Sequence, residues 1–184
     1  FLHTKEKTER KMKSGIRIAA LFAAMSCLLS CSKEGTDIFK GNYSFKTSGN
    51  VGVEATFTSG EESSERSFDM QLATEQGQMD IISRSETEVL ITMNVLGGDV
   101  RSFRARAEGS SLIVEPFDTK IKLQIARHGT AIIDVTASGS AKRYGDVVIF
   151  DLVYEGEGVS EIGESTAEVK ICDSSVQCIA KLND

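Results

Sequence analysis

The chain has no tryptophan, one proline and two histidines, and each shortage limits what it can be. Proline-rich linkers and recognition segments are excluded, because Pro116 stands alone. His128 is the one histidine beyond residue 30, and it falls in a predicted turn with no serine or cysteine nucleophile motif beside it. A zinc site needs more soft ligands than this chain offers. We therefore predict no enzymatic activity, no metal and no cofactor.

Helical periodicity and positive charge are also scarce. Beyond residue 40 no window of helical length carries a sustained apolar stripe of 3.6-residue period, which predicts little helix. The net charge of −6 falls to −10 when residues 1–30 are removed, because they hold six of the 21 basic residues but only two of the 27 acidic ones. A domain this acidic repels phosphate backbones, so we expect no nucleic-acid partner.

An apolar segment near the start of the chain is too short to cross a membrane. Residues 18–29 are uncharged and follow Lys13 and Arg17, which is typical of a secretory signal peptide. Twelve helical residues rise about 18 Å, whereas the hydrocarbon core measures about 30 Å. We expect upstream or artificially added sequence at 1–11 and a signal peptide at 12–30.

The signal segment ends in Leu28-Leu29-Ser30-Cys31, which resembles the lipobox of bacterial lipoproteins. In proteins with this motif the cysteine receives a diacylglyceryl group and the peptide is cut just before it. The resemblance therefore implies lipidation at Cys31 and a membrane anchor, because two or three acyl chains bind a bilayer effectively permanently. We expect a polar tether at 31–38 and a location at the outer membrane, on its periplasmic face or at the cell surface. The alternative is an ordinary secretory signal.

Period-two alternation of apolar and polar residues dominates the chain beyond residue 40. Residues 120–125 are the clearest case, and glycine-containing turns separate the alternating runs. Turns this short force antiparallel neighbours, because a parallel return needs a dozen or more residues. The pattern predicts a meander with strands at 66–73, 78–84, 88–96, 100–107, 111–117, 119–126, 130–139 and 146–155, and a terminal hairpin at 166–183.

A meander of eight strands leaves two exposed edges unless the sheet closes, which favours a closed barrel over the alternative, a two-sheet β-sandwich. The segment Phe39-Lys40-Gly41-Asn42-Tyr43-Ser44-Phe45 is similar to the opening of the first lipocalin strand, with Tyr43 in place of tryptophan. Together with the lipobox, it resembles the calycin-like (lipocalin-like) lipoproteins of the Bacteroidetes group. The resemblance implies one all-β domain at 39–184, built as a lipocalin-like barrel of eight or more strands.

Such a barrel implies an interior that holds an apolar or amphiphilic small molecule. We predict that alternate residues line it: Phe68, Met70, Leu72, Ile91, Met93, Phe103, Leu123, Phe150 and Leu152. The alternative function is a non-catalytic protein-interaction or structural component of the cell envelope, with no partner indicated by the sequence.

Two cysteines near the end of the chain, Cys172 and Cys178, are separated by five residues between strand-like stretches. A hairpin there would place the two sulfur atoms at bridging distance, and an oxidising envelope permits the bond. We predict a disulfide that stabilises the fold by about 2 kcal/mol. Two free thiols are the alternative.

Overall fold

The computed structural model describes residues 35–124, 130–162 and 165–184. In this part of the chain a short 3₁₀ turn, Gly35–Ile38, precedes nine strands. The strands are β1 (Gly41–Ser59), β2 (Glu62–Gln71), β3 (Gln76–Ser83), β4 (Glu88–Val95), β5 (Val100–Glu108), β6 (Ser111–Gln124), β7 (Thr130–Tyr144), β8 (Val147–Ile162) and β9 (Ser165–Leu182). Every strand pair is antiparallel, which confirms the predicted all-β meander.

The sheet closes on itself through eight of its nine strands. The strand order is β2-β1-β3-β4-β5-β6-β7-β8-β9, and β9 returns to pair with β1 from Tyr43 to Thr58. Each strand of the ring therefore has hydrogen-bonded neighbours on both sides over at least part of its length. The barrel-like closure predicted from the sequence is confirmed, and one continuous sheet excludes the two-sheet sandwich.

The two ends of the ring differ because β1 changes partner along its length. Residues 41–46 of β1 pair with β3, whereas residues 50–59 pair with β2. On the opposite side, β5 pairs with β6 only at residues 111–114 of β6. Residues 117–124 of β6 pair with β7 on one side and with no described strand on the other. The ring is therefore closed at one end and has an opening between β2 and β6 at the other.

Five strands are paired side by side at the level where the closed end meets the open end. This row of paired residues crosses the strands in the order Gly49, Val176, Leu152, Gly139 and Val114. A β-carbon on Gly139 would overlap the carbonyl oxygen of Asp151, and one on Gly49 would overlap that of Ser175. Glycine is required at both positions because neighbouring backbones approach so closely.

Two strand boundaries predicted from the sequence are wrong. The predicted strands at 111–117 and 119–126 form a single strand, β6, whose register shifts between Val114 and Phe117, around Pro116. Proline lacks the backbone donor and is tolerated at such an irregularity. The predicted hairpin at 166–183 is the single strand β9, whose backbone is paired by β1 on one side and β8 on the other.

The core lies inside the ring as one continuous cluster of buried side chains. Within this cluster, the aromatic ring of Phe103 stacks on that of Phe117 with centroids 4.2 Å apart, and it meets the aromatic ring of Phe150 edge-on at 6.4 Å. At the closed end the Tyr43 hydroxyl donates to the Phe39 carbonyl oxygen at 2.7 Å. Three phenylalanine side chains therefore pack together inside the closed sheet at the level of Phe103.

Candidate functional site

The nine residues predicted to line a ligand cavity divide into two groups. Six are buried in the core: Ile91, Met93, Phe103, Leu123, Phe150 and Leu152. None of these six lines either of the two clefts described below. All six belong to the hydrophobic core, and the candidate site described below lies elsewhere in the molecule.

The other three predicted residues lie on β2 or just after it. Phe68 is 38% exposed and its ring meets that of Phe57 edge-on at 6.4 Å. Met70 is half-buried against the core. Leu72, the first residue after β2, lines a cleft that opens to solvent. Leu72 is therefore the member of the predicted set that the structure places at a candidate binding site.

This cleft, which we call the side cleft, has a volume of ≈ 630 Å³ and opens in the wall of the ring. The connection between β2 and β3 at 72–75 forms one side, and residues 120–122 of β6 form the opposite side. Tyr154 and Val176 form the floor. The opening exists because the pairing of β5 with β6 stops at Val114, which leaves one edge of β6 without a neighbouring strand among the described residues.

A bidentate ion pair lies within the side cleft. The Arg101 guanidinium donates from Nη1 and Nη2 to the two carboxylate oxygens of Glu75, each at 2.6 Å. The two side chains are only 16% and 30% exposed. Glu75 is itself fixed, because its backbone N–H donates to Thr47 Oγ1 at 3.1 Å and the Thr47 N–H donates to the Glu75 carbonyl oxygen at 2.8 Å. The ion pair therefore fastens the 72–75 connection to the wall of the ring.

Electrostatics in the side cleft keep Arg101 charged and Tyr154 neutral. Burial alone would lower the pKa of Arg101, but the hydrogen bonds and negative charge of Glu75 outweigh it and raise that pKa. Burial, and then the charge of Glu75, raise the pKa of Tyr154 to about 12. The backbone N–H of Tyr154 donates to Ser174 Oγ. No described residue hydrogen bonds to the phenolic hydroxyl group of Tyr154. At neutral pH the hydroxyl is therefore protonated and available to a ligand or to water.

Lysines surround the mouth of the side cleft, and we call Lys46, Lys120 and Lys122 the lysine rim. Lys120 Nζ lies 3.2 Å from a carboxylate oxygen of Asp134. Within the described residues, neither Lys46 nor Lys122 forms a salt bridge. The aliphatic residues of the cleft are Leu72, Ala73, Val95, Leu96, Ile121 and Val176. The side cleft thus combines an apolar surface with a positively charged mouth.

Sequence reasoning did not identify Glu75, Arg101 or Tyr154 as site residues. For Arg101 a signal was present: it alternates in phase with Phe103 and Ala105, both of which are buried, so the strand pattern places a charged side chain on the inward face. An inward arginine needs a buried partner. Glu75 lies in a connection outside the alternating runs, and no local pattern marks it.

A second groove, with a larger volume of ≈ 980 Å³, lies on the outer surface of β1, β2, β8 and β9. Its lining is mainly polar and includes four carboxylates, from Glu54, Glu65, Glu157 and Glu168. Among the residues that the structure describes, no three His, Cys, Asp or Glu side chains are arranged to hold a metal ion. We interpret this groove as a solvated acidic face.

The predicted disulfide is wrong, because both cysteines belong to the single strand β9 and both thiols are free. Six residues along a strand span about 20 Å. A disulfide requires Cα atoms within about 7 Å. Cys172 is exposed and Cys178 is buried, and burial followed by the charge of Glu75 raises the pKa of the Cys178 thiol to about 12.

Several predictions fall outside the described residues, namely those for Cys31, His128 and segment 1–34. In the part of the chain that the structure describes, no helix has the length and hydropathy needed to span a bilayer.

Comparison with known proteins gives a resemblance of shape only. No protein-family model and no curated protein sequence matches this chain. Several solved structures are similar to it, among them the following three. A redesigned β-barrel is 12% identical with a TM-score of 0.37, over 82% of this chain and 96% of that chain. Ail, the attachment invasion locus protein of Yersinia pestis, is 7% identical with a TM-score of 0.24, over 75% and 99%. The ywiB protein of Bacillus subtilis is 8% identical with a TM-score of 0.21, over 78% and 94%.

These identities and TM-scores support no conclusion about function. The barrel-like fold rests on the strand pairings of this chain itself.

Proposed function

We propose that this chain is a membrane-anchored bacterial envelope lipoprotein whose β domain binds a small amphiphilic molecule in the side cleft. The observation that carries the proposal is the composition of that cleft, where apolar side chains lie beneath a rim of lysines. Its volume of ≈ 630 Å³ lies in the range of small-molecule sites, about 300–1,000 Å³. A ligand with an apolar part and a polar head group fits such a surface better than a purely apolar one.

A side-cleft ligand differs from the interior ligand that the calycin-like resemblance implies. The stacking of Phe103 on Phe117 and their contact with Phe150 argue against an interior site at that level. The resemblance still supports a barrel as the scaffold of a binding protein, although a fold alone does not establish a function.

We assign the domain a binding role and no catalytic step. The carboxylate of Glu75 is engaged by Arg101 in a bidentate pair, so it is poorly placed to accept a proton from a substrate. A Tyr154 pKa of about 12 makes the phenolate scarce at neutral pH, where a general base needs a pKa near the working pH.

The membrane anchor is supported by the lipobox-like Leu28-Leu29-Ser30-Cys31 and the uncharged segment before it. A lipid on Cys31 would hold the domain beside a bilayer, which is a source of amphiphilic molecules. Expression of the wild type and Cys31→Ala in a lipoprotein-processing host tests the anchor. We expect only the wild type to incorporate a palmitate analogue and to fractionate with the outer membrane. Unlabelled wild type that fractionates like the variant contradicts the assignment.

Titration of the full chain with an environment-sensitive fluorescent fatty acid tests ligand binding. We expect saturable one-site binding in the micromolar range, weakened at least tenfold by Leu96→Glu, which puts a charge on a cleft side chain that is 75% exposed. Val159→Glu is the matched control, since Val159 is 66% exposed and lies outside the side cleft. Absence of saturable uptake of any apolar or amphiphilic probe would refute the binding role.

A second candidate function, a non-catalytic protein-interaction component of the envelope, is favoured by the free edge of β2. This strand pairs with β1 on one side, and its other edge, which approaches β6, is hydrogen-bonded to no described strand, so a strand from a partner has unpaired backbone groups to meet there. Photo-crosslinking in intact cells from Ser67, an exposed residue of β2, tests this function. A protein crosslink combined with no probe binding would favour it over ligand binding.

A further inference from the structure

We infer that the side cleft selects anionic amphiphiles, that is, molecules with a carboxylate or phosphate head group on an apolar chain. This inference rests on the proposed function and specifies the chemistry of the ligand. It is carried by the distribution of charge around the cleft, by the direction of the side chains in β6, and by the contrast with the rest of the chain.

The charges of the side cleft do not balance. Its lining includes four cationic side chains, Arg101 and the lysine rim, but two carboxylates, Glu75 and Asp99. Both carboxylates face Arg101, with the closest contacts at 2.6 and 3.7 Å, and this trio carries one net negative charge against the three positive charges of the lysine rim. Lys120 forms an ion pair with Asp134, which lies outside the cleft, whereas Lys46 and Lys122 form no salt bridge within the described residues. The mouth of the cleft therefore carries a positive surplus.

This surplus is notable because the chain as a whole has a net charge of −6. Long-range electrostatics therefore favour cations over most of the surface, and attraction of an anion requires a local positive field. A cleft with low-dielectric walls concentrates such a field at its mouth. The lysine rim is placed to supply it.

The alternation of β6 fixes how a ligand would lie. Lys120 and Lys122 are exposed, whereas Ile121 between them is buried and lines the cleft. Successive side chains of a strand point to opposite faces, so the two ammonium groups lie at the mouth and the isoleucine lies beneath them. Val176 and Leu72 extend the apolar surface from the floor and the opposite side. The head group of a bound amphiphile would meet the lysines while its chain covers these apolar residues.

Calorimetric titration of the full chain with matched twelve-carbon ligands below their micelle concentrations tests the inference. Dodecanoate and dodecyl phosphate carry the anionic head groups, dodecyltrimethylammonium a cationic one, and dodecyl maltoside a neutral one. We expect both anions to bind at least tenfold more tightly than the other two, and this preference to shrink as salt screens the rim. Inorganic phosphate should bind far more weakly than dodecyl phosphate, because it lacks the chain.

A pair of matched variants assigns the preference to the lysine rim. In the double variant Lys46→Gln with Lys122→Gln, the tenfold preference for anionic over cationic and neutral ligands should disappear. Lys142→Gln with Lys170→Gln removes the same charge from exposed residues outside the cleft and should preserve it. Asp134→Asn frees Lys120 and should tighten anion binding. Circular dichroism and thermal melting confirm that each variant is folded.

The possible outcomes separate the inference from the proposed function. Equal affinity for anionic, cationic and neutral ligands would overturn anion selection and leave amphiphile binding standing. No binding of any ligand would overturn both. An anion preference that survives in the Lys46 and Lys122 double variant would overturn the role of the rim. Binding to phosphatidylglycerol vesicles without binding of the monomeric anions would assign the lysines to a membrane surface and reject a cleft ligand.

Discussion

At the scale of single residues, the most informative interaction is the ion pair of Arg101 with Glu75. An inward-facing arginine is tolerated in the ring because the Glu75 carboxylate meets both of its terminal nitrogens, and because Thr47 holds the backbone of Glu75 in place. Removal of one partner leaves the other charge poorly solvated, which is more harmful than the pair is favourable. The main structural effect of the ion pair is therefore to fix the position of the 72–75 connection.

Substitution Glu75→Gln should lower the free energy of unfolding by about 1–3 kcal/mol, less than for a fully buried pair because solvent reaches both side chains. Urea denaturation measures the change. Glu88→Gln is the control, since Glu88 lies 3.7 Å from an Arg104 side chain that is 64% exposed, and such surface pairs contribute about 0–1 kcal/mol. Equal losses in the two variants would show that the cleft pair has no special structural role.

Stability should fall at alkaline pH because two buried groups resist deprotonation in the folded state. Folding raises the pKa of Tyr154 from 10.0 to about 12, and that of Cys178 from 9.0 to about 12. Between these limits the unfolded chain releases protons that the folded chain retains, so rising pH favours unfolding. The stabilisation is complete below pH 9 and is lost as pH rises towards 12. Each group contributes a slope of up to about 1.4 kcal/mol per pH unit.

Urea denaturation between pH 8 and 11 measures this loss. The variant Tyr154→Phe should show a shallower decline above pH 10, and Cys178→Ala a shallower decline above pH 9. A wild type whose free energy of unfolding stays constant to pH 11 contradicts both assignments.

The two cysteines should differ sharply in reactivity. Cys172 is exposed, whereas Cys178 is buried with a raised pKa, so the thiolate that reacts with alkylating agents is scarce at Cys178. Intact-mass analysis after iodoacetamide treatment without reductant should show rapid labelling of Cys172 in the folded protein, and labelling of Cys178 only in denaturant. Protection of both residues that only a reductant relieves would instead indicate a disulfide.

At the scale of elements, the close approach of β7 and β8, where the two ends of the ring meet, requires glycine. Gly139→Ala should lower the free energy of unfolding by about 2 kcal/mol or more, because the new β-carbon meets the backbone of Asp151 and Leu152 at a positive φ. Gly158→Ala is the control, since its nearest neighbour is a side-chain carbon of Ile133 at 3.4 Å. Thermal melting distinguishes them, and a harmless Gly139→Ala would refute the requirement for glycine at this position.

The sequence predicts individual elements well where alternation is unbroken. The predicted strands at 88–96 and 100–107 correspond to β4 and β5 within one residue. Prediction failed where a polar stretch interrupts the alternation inside a strand, as at 173–175 of β9, because local polarity resembles a turn. There, pairing with β1 and β8 on both sides outweighs local preference.

The candidate site was less predictable than the elements, because segments remote in sequence form it. Thr47 of β1, Glu75, Arg101 of β5 and Tyr154 of β8 meet only once the ring has closed. No short-range pattern encodes that meeting. The one local indication was that Arg101 alternates in phase with the inward-facing residues of β5. Leu72 was predicted to line the interior of the barrel, whereas it lines the side cleft.

At the scale of the whole molecule, β2 and the ring should differ in stability. The ring strands are hydrogen-bonded on both sides over much of their length, whereas β2 is bonded to β1 alone among the described strands. Nearly all of its residues are exposed, so little apolar burial holds it in place. The strand can therefore separate from β1 while the ring remains closed through β1 and β9.

Hydrogen exchange followed by mass spectrometry should detect this difference. Amides of β2 should exchange markedly faster than those of β8 or β9, because an edge strand leaves alternate N–H groups unpaired and opens locally without global unfolding. Saturation with dodecanoate should then slow exchange at 72–75 and 120–122, which line the side cleft, while the turn between β3 and β4 at 84–87, outside the cleft, is unchanged. Uniform slowing across the ring would indicate a ligand that stabilises the fold as a whole. Exchange of β2 as slow as that of β8 would mean that some further contact covers its edge and that the open end is closed in solution.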